Sequence, residues 1–437
     1  MIRSNIILVS GLIYLCACTG KVTLPDIDIS VTDDGVVALP ENVPDVFKQY
    51  FVKYTKVIAP NGKPIHILAQ DGWTNDQIKH GRNVLEHILT NYEGSVYGND
   101  KSLVANSMSD QKATMVFFNT EPDLEKAFDE GLGFATDLSM QDLRANECTA
   151  VGSEDYMNHI TRDASYEEIW HLVHDYGIKP ALPKMIKEMR VANDVAEKNG
   201  WKGWPEDEPQ EHPNEYMGVL IDNYYDLWKI MPKLYEGREI AEMGRRKDRS
   251  DHGKSFEGKS HFGRYFANSR FSMKEKDPLG HNVIENYFHP YLTFTPELPE
   301  NFKGVFSMEF DKNVSYTYKS QHLLGVTIKG DNNVALIGNN YDNKMNGNKG
   351  DNSFQGNGGN DIIDGAKGVD TAVYRGPAAD YKINILENRI EVVDNNPDRD
   401  GKDILINMES GEFVDQVVSF SNNNIHMPNG QIPTYVL

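Results

Sequence analysis

Apolar positions along the chain change period several times, and each change predicts an element. Residues 63–69 (KPIHILA) read as a short strand and residues 113–118 (ATMVFF) as a second. Between them, Thr74-Asn75-Asp76-Gln77 has the form of a helix capping box, and Ile78, Leu85, His87, Ile88 and Leu89 follow at helix-like intervals. A strand–helix–strand unit is expected there, with another helix over 121–128. From Ser165 to Tyr176 the period is helical again: Ile169, Leu172, Val173 and Tyr176 fall at i, i+3, i+4 and i+7. Residues 182–198 predict a helix closed by Asn199-Gly200. An acidic, proline-rich loop follows over 204–213. Residues 215–230 are apolar nearly all round, the pattern of a helix buried in a core.

The last quarter has a different grammar. Gly and Asn dominate 330–376, and four nonapeptides align without a gap: 338–346 (GNNYDNKMN), 347–355 (GNKGDNSFQ), 356–364 (GNGGNDIID) and 365–373 (GAKGVDTAV). The eighth position is apolar throughout (Met345, Phe354, Ile363, Ala372), and Leu336 suggests a degenerate turn upstream. The sixth position is Asn343, Asn352, Asp361 and Asp370. The series resembles the RTX (haemolysin-type) repeat G-G-x-G-x-D-x-U-x. That resemblance implies a parallel β-roll, stacked eighth residues, and Ca2+ held at the sixth positions. Turns on one edge lie two repeats apart, which pairs Asn343 with Asp361 and Asn352 with Asp370. Each pair brings one carboxylate, so one or two modest calcium sites are expected. After the roll, alternating strands at 381–386, 389–394, 403–407 and 412–420 resemble the β cap of secreted RTX proteases. The loop 394–401 reads as a turn.

Charge narrows the partners. The 437 residues carry a net charge of −21, which argues against nucleic acid and anionic lipid and suits hard cations. The first residues pair one Arg with an apolar run of about ten residues, too short to span a bilayer but suited to a signal peptide. Leu15-Cys16-Ala17-Cys18 resembles a bacterial lipobox, which implies lipidation of Cys18 and an anchor to membrane. Only Cys148 then remains, so no intrachain disulfide is expected. A basic stretch, 244–249, reads as a solvated loop.

The segment ASYEEIWHLVHDYGI, 164–178, holds the candidate chemistry. On a helix, Glu167, His171 and His174 share one face within about sixty degrees, opposite the apolar stripe. Any surface helix shows polar residues there, so a wet face is the plain alternative. The segment also resembles the zinc-protease signature H-E-x-x-H with Glu in place of the first His. That resemblance implies Glu167 and His171 as ligands and Glu168 as general base. Glu215, 44 positions beyond His171 in Asn214-Glu215-Tyr216, resembles the third ligand of glutamate-zincins. Residues 60–228 are similar to the lethal-factor-type branch. The whole arrangement resembles bacterial metallopeptidases that join an E-E-x-x-H helix to RTX repeats. Glu, His and Glu form a harder set than usual, suiting Zn2+ or Mn and Fe; His174 could restore a second nitrogen. Tyr216, Tyr224 or Tyr225 is a candidate for the oxyanion.

The expected fold is α+β: a signal peptide (1–17), an acidic tether (18–42), a zincin-like, mainly helical domain with a small sheet (43–300), a connecting β segment (301–329), a parallel β-roll (330–376) and a β cap (377–437). The expected function is an exported metal-dependent hydrolase acting on protein or peptide substrate. The alternative is a non-catalytic calcium-binding surface lipoprotein, an adhesin or matrix component on a degenerate zincin scaffold.

Overall fold

The computed structural model describes residues 20–235, 238–239 and 258–420; the signal segment, Cys18 and the basic stretch 244–249 lie outside them. The N-terminal half is built on a five-stranded sheet: β1 (Val37–Ala38), β2 (Lys53–Ile58), β3 (Pro64–Ala69), β4 (Ala113–Phe118) and β5 (Ser139–Arg144), hydrogen-bonded in that order. Helix α1 (Asn75–Leu89) connects β3 to β4, which run parallel, and Thr74 caps it through the reciprocal bonds with Gln77. Helix α2 (Ser102–Asp110) and strands β2 and β5 complete the layer.

Strand β4 is buried at every position, so both faces of the sheet must be covered. Ile65, Ile67, Ala69, Met115 and Phe117 face the larger core with α1. Leu68, Val116 and Phe118 point the other way, as the two-residue period of a strand requires. Helix α3 (Glu121–Asp129) covers only part of that second face. The rest is covered by Leu24, Ile27, Val37, Val43, Phe47 and Phe51. The stretch expected as a tether is therefore docked from Val22 onward, because a sheet with two apolar faces needs it. Its backbone is also fixed: Val22 N–H donates to Ala135 O at 2.8 Å, and β1 pairs with β2.

The helical layer holds α4 (Ser165–Val173), α5 (Pro183–Lys198), α6 (His212–Tyr224), α7 (Arg270–Lys276) and α8 (Pro278–Glu285). Helix α6 starts earlier and ends earlier than its apolar pattern predicts. Pro213 sits in its first turn, and the helix closes at Tyr225.

From residue 297 the chain alternates between two sheets of mostly parallel strands. One carries β6 (Glu297–Leu298), β8 (Gly325–Ile328), β10 (Lys344–Asn346) and β12 (Ile362–Asp364). The other carries β7 (Gly304–Ser307), β9 (Val334–Ile337), β11 (Ser353–Gln355) and β13 (Thr371–Val373). Neighbours within a sheet are two turns apart, with Met345 opposite Ile363 and Leu336 opposite Phe354. All the eighth-position side chains lie inside. The segment expected as a mere connection, 301–329, supplies two of these strands. Two turns therefore stack below the repeats and join their core to that of the N-terminal half.

Beyond the repeats, β14 (Tyr381–Ile385) and β15 (Ile390–Asp394) form a hairpin that pairs with β16 (Lys402–Ile406). Strand β16 then pairs parallel with β12, and β17 (Ser410–Glu412) parallel with β13.

Leu24→Ala and Ile27→Ala are each expected to lower unfolding stability by about 2–5 kcal/mol. Urea denaturation checks this. A free tether would give changes within about 0.5 kcal/mol.

Candidate metal centres

Helix α4 is buried at all nine positions, so the wet-face reading fails: Glu167, Glu168 and His171 are at most 3% exposed. The helix crosses α6 where Gly218 leaves room; a Cβ there would lie 2.8 Å from Glu167 Cγ. This approach, one turn beyond Glu215, sets the two helices' acids face to face. One donor atom each from Glu167, His171 and Glu215 lie within 4.8 Å of one another. His171 Nε2 is 3.6 Å from Glu215 Oε1. Glu168 points elsewhere, toward β5, where its Oε2 accepts from Gln141 Nε2 at 2.8 Å.

His174 is not part of this group. The α-helical register ends at Val173 and continues as a π-turn over His174–Ile178, and the His174 ring lies against Trp170, 5.8 Å between ring centres. Its Nδ1 meets Asp175 Oδ1 at 2.9 Å. The tyrosines are engaged elsewhere. Tyr216 donates to Asp277 Oδ2 at 2.5 Å and Tyr225 to His289 O at 2.6 Å, while Tyr224 lies under Arg270, 3.9 Å from guanidinium to ring centre.

Sequence reasoning missed a second layer. Arg162 forms an ion pair with Glu167, and its Nη2 is 3.7 Å from Asp222 Oδ2. Asp222 in turn meets His261 Nε2 at 3.0 Å. The signal was available: Arg162 stands directly before a helix with two Glu in its first turn, and Asp222 lies two turns after Glu215 on the same helix face. Burying an acid without a counter-charge is costly, so the partners of Glu167 and Asp222 were there to be sought.

His80, Cys148 and Asp163 form another donor group within 4.8 Å. Its hydrogen bonds explain it as structure. Asp163 accepts from Ser165 N–H and Oγ at 3.1 and 2.6 Å, at the start of α4, and His80 Nε2 lies 2.8 Å from its other oxygen.

In the repeats, the sixth-position side chains line up along each edge. Asn343 N–H donates to Asp361 Oδ1 at 2.8 Å, and Asn352 N–H to Asp370 Oδ1 at 2.7 Å. These are the pairs the register predicts. Asn343 and Asn352 use their own side-chain oxygens to accept from Asn339 and Asn348 N–H, at 2.8 and 3.1 Å. Asp361 Oδ2 and Asp370 Oδ2 are buried with no hydrogen-bond donor. Burial, reinforced by Asp342 and Asp400, pushes the Asp361 carboxyl up to about 7. Burial, with Glu409, Asp351 and Asp364 nearby, pushes Asp370 up to about 6. Acids held this way are short of positive charge.

Residues 337–372 match the family model of the RTX calcium-binding nonapeptide repeat, in 4 copies. Calcium binding by these repeats is the property the match carries to this chain. No curated protein matches the sequence. No helix of the described residues is long and apolar enough to cross a membrane.

Two tests follow. Removing Arg162 leaves Glu167 and Asp222 facing each other in the core, so Arg162→Ala is expected to cost about 3–5 kcal/mol. Adding Glu167→Gln should recover part of that cost. A loss below about 1 kcal/mol in urea denaturation would contradict the pairing. Calcium needs ionised carboxylates and must displace protons from Asp361 and Asp370. Calcium affinity is therefore expected to fall as pH drops through about 7 to 6, with protons released on binding. Titration calorimetry in buffers of different ionisation heat measures both; an affinity flat across that window contradicts the assignment.

Proposed function

We propose that the chain is an exported, calcium-binding metal-dependent hydrolase whose substrates are peptides. The observation that carries this reading is the buried convergence of His171, Glu215 and Glu167 from two helices. One nitrogen and two carboxylate oxygens make a donor set that fits zinc and equally manganese or iron. When bound, such a metal supplies Lewis acidity toward water and a carbonyl oxygen.

The remaining work belongs to side chains of the protein. Glu168 stands beside the donor group in sequence but projects toward β5, where Gln141 fixes one carboxylate oxygen. As the general base that the resemblance names, Glu168 would have to turn from Gln141 toward the donor group to take a proton from water and return it to a leaving amine. Strand β5 is the outermost strand of its sheet and is half-buried from Ser139 to Asp142. An extended peptide laid along such an edge would pass close to Glu168. This scaffold is read as zincin-like. RTX repeats are typical of secreted proteins, which agrees with an export signal and a lipid anchor at Cys18.

One observation favours a second reading. The guanidinium of Arg162 already supplies Glu167 with positive charge. If that pair replaces a metal, the domain is a non-catalytic scaffold and the protein is a calcium-binding surface lipoprotein.

Elemental analysis and peptide cleavage separate the two. The hydrolase reading expects about one transition metal per chain, lost in His171→Ala and Glu215→Ala. Glu168→Gln should keep the metal and lose at least about 100-fold in kcat. Metal-free protein, with unchanged stability in both ligand variants, would leave only the scaffold reading.

A further inference from the structure

The edge ladders do not stop where the repeats stop. Asp361 N–H donates to Asp403 Oδ1 at 3.1 Å, across a separation of 42 positions. Asn343 N–H makes the same bond to Asp361, across 18. The excess of 24 positions holds the hairpin β14–β15. Once it is set aside, the register resumes. Gly401, Asp403 and Leu405 repeat the spacing of Gly359, Asp361 and Ile363. Leu405 pairs with Ile363, and Lys402 N–H bonds Asn360 Oδ1 at 3.1 Å. Gly401 has φ +70°, and a Cβ there would come 1.8 Å from Gly359 O, so only glycine fits the contact. Residues 398–406 are thus one more turn of the same coil, displaced by an insertion. The family match, ending at 372, does not include it.

This hidden turn changes the charge count. Within the matched repeats each stacked pair has one carboxylate and one amide. Across the insertion one edge pairs Asp361 with Asp403 and the other Asp370 with Glu409, two carboxylates each, but Glu409 is exposed and only the first pair is wholly buried. Asp361 and Asp403 are at 0% and 2% exposure, and Asp361 Oδ2 has no donor. Asp400, a third acid whose charge acts on both, is paired with Arg375 at 2.6 Å, so that guanidinium is already engaged. Two buried acids one above the other repel until one of them takes up a proton or a cation lies between them. Calcium takes carboxylates together with the backbone carbonyls of tight turns, and this site supplies the carboxylates.

From these observations we infer that the strongest calcium site of the chain lies between the turns 356–364 and 398–406, with Asp361 and Asp403 as its carboxylate ligands. The inference rests on calcium binding by the repeats and goes beyond it in position and consequence. Calcium there would fasten the cap strand β16, and with it the hairpin β14–β15, onto the last repeats. The cap would then dock only when calcium is present.

The test uses the exported chain and calcium alone, after treatment with EGTA. In calorimetric titration, Asp403→Asn is expected to weaken the tightest site at least tenfold, leaving the weaker sites. The variant should fold in EGTA at least as well as the original, since it removes one of two crowded acids. Hydrogen exchange of the unmodified protein gives a second readout that needs no variant. Adding calcium should slow exchange over 381–394 and 402–406 together with 356–364. Protection confined to residues before 374 would overturn the inference, as would an unchanged tightest site in Asp403→Asn. No calcium binding at all would overturn both this inference and the repeat assignment beneath it, so the two failures are distinguishable.

Discussion

Buried acids need a counter-charge, and that requirement organises both halves of this molecule. The chain carries 65 acidic against 44 basic residues, and it buries acids rather than leaving all of them in water. Glu167, Glu215, Asp222, Asp361, Asp370 and Asp403 are all within the core. A carboxylate moved out of water costs several kcal/mol unless paired. In the helical layer part of the pairing is internal, through Arg162 and His261. Along the repeat edges no lysine or arginine is bonded to Asp361 or Asp370 among the described residues, and backbone N–H groups satisfy one oxygen of each. In the first arrangement the internal pairs meet part of the demand; in the second no side-chain cation of the described residues meets it.

The architecture explains why these acids sit where they do. Helix α4 is buried at every position, so its polar residues must find partners inside the protein: Glu167 with Arg162, Glu168 with Gln141, His171 with Glu215. Gly218 lets α6 close on Glu167, and the start of α6 places Glu215 within reach of His171. In the coil, Gly356 and Gly365 do the comparable work: a side chain there would collide with Asp361 or Asp370 Oδ2 at 2.0 and 2.6 Å. Small residues at the crossings bring the acids together, and the acids then demand charge.

Much of this was legible in the sequence, for physical reasons. Period-nine glycine and an apolar eighth position admit few other structures, so Met345, Phe354, Ile363 and Ala372 could be placed inside from the sequence. The Thr74–Gln77 box and the all-apolar strand β4 were equally readable. Glu215 was found from spacing because a glutamate in an apolar helix has to be explained. What remained hidden depends on long-range contacts. The docking of residues 22–42 follows from an uncovered sheet face, which no local pattern reveals. The contacts of His174 with Asp175 and Trp170, which keep it out of the donor group, leave no mark on the helical period. Arg162 is remote from Asp222 in sequence. The turn at 398–406 was masked by the hairpin inserted before it, although its Gly-x-Asp-x-Leu spacing was there to be read.

The account makes cations, not only side chains, part of the folded structure. The most direct measurement is X-ray diffraction from crystals grown with calcium, recorded also at transition-metal absorption edges. It predicts a calcium ion between the Asp361 and Asp403 carboxylates, and a transition metal among Glu167, His171 and Glu215. A map with only water or protein atoms at both positions, and the Arg162 guanidinium alone satisfying Glu167, would contradict it.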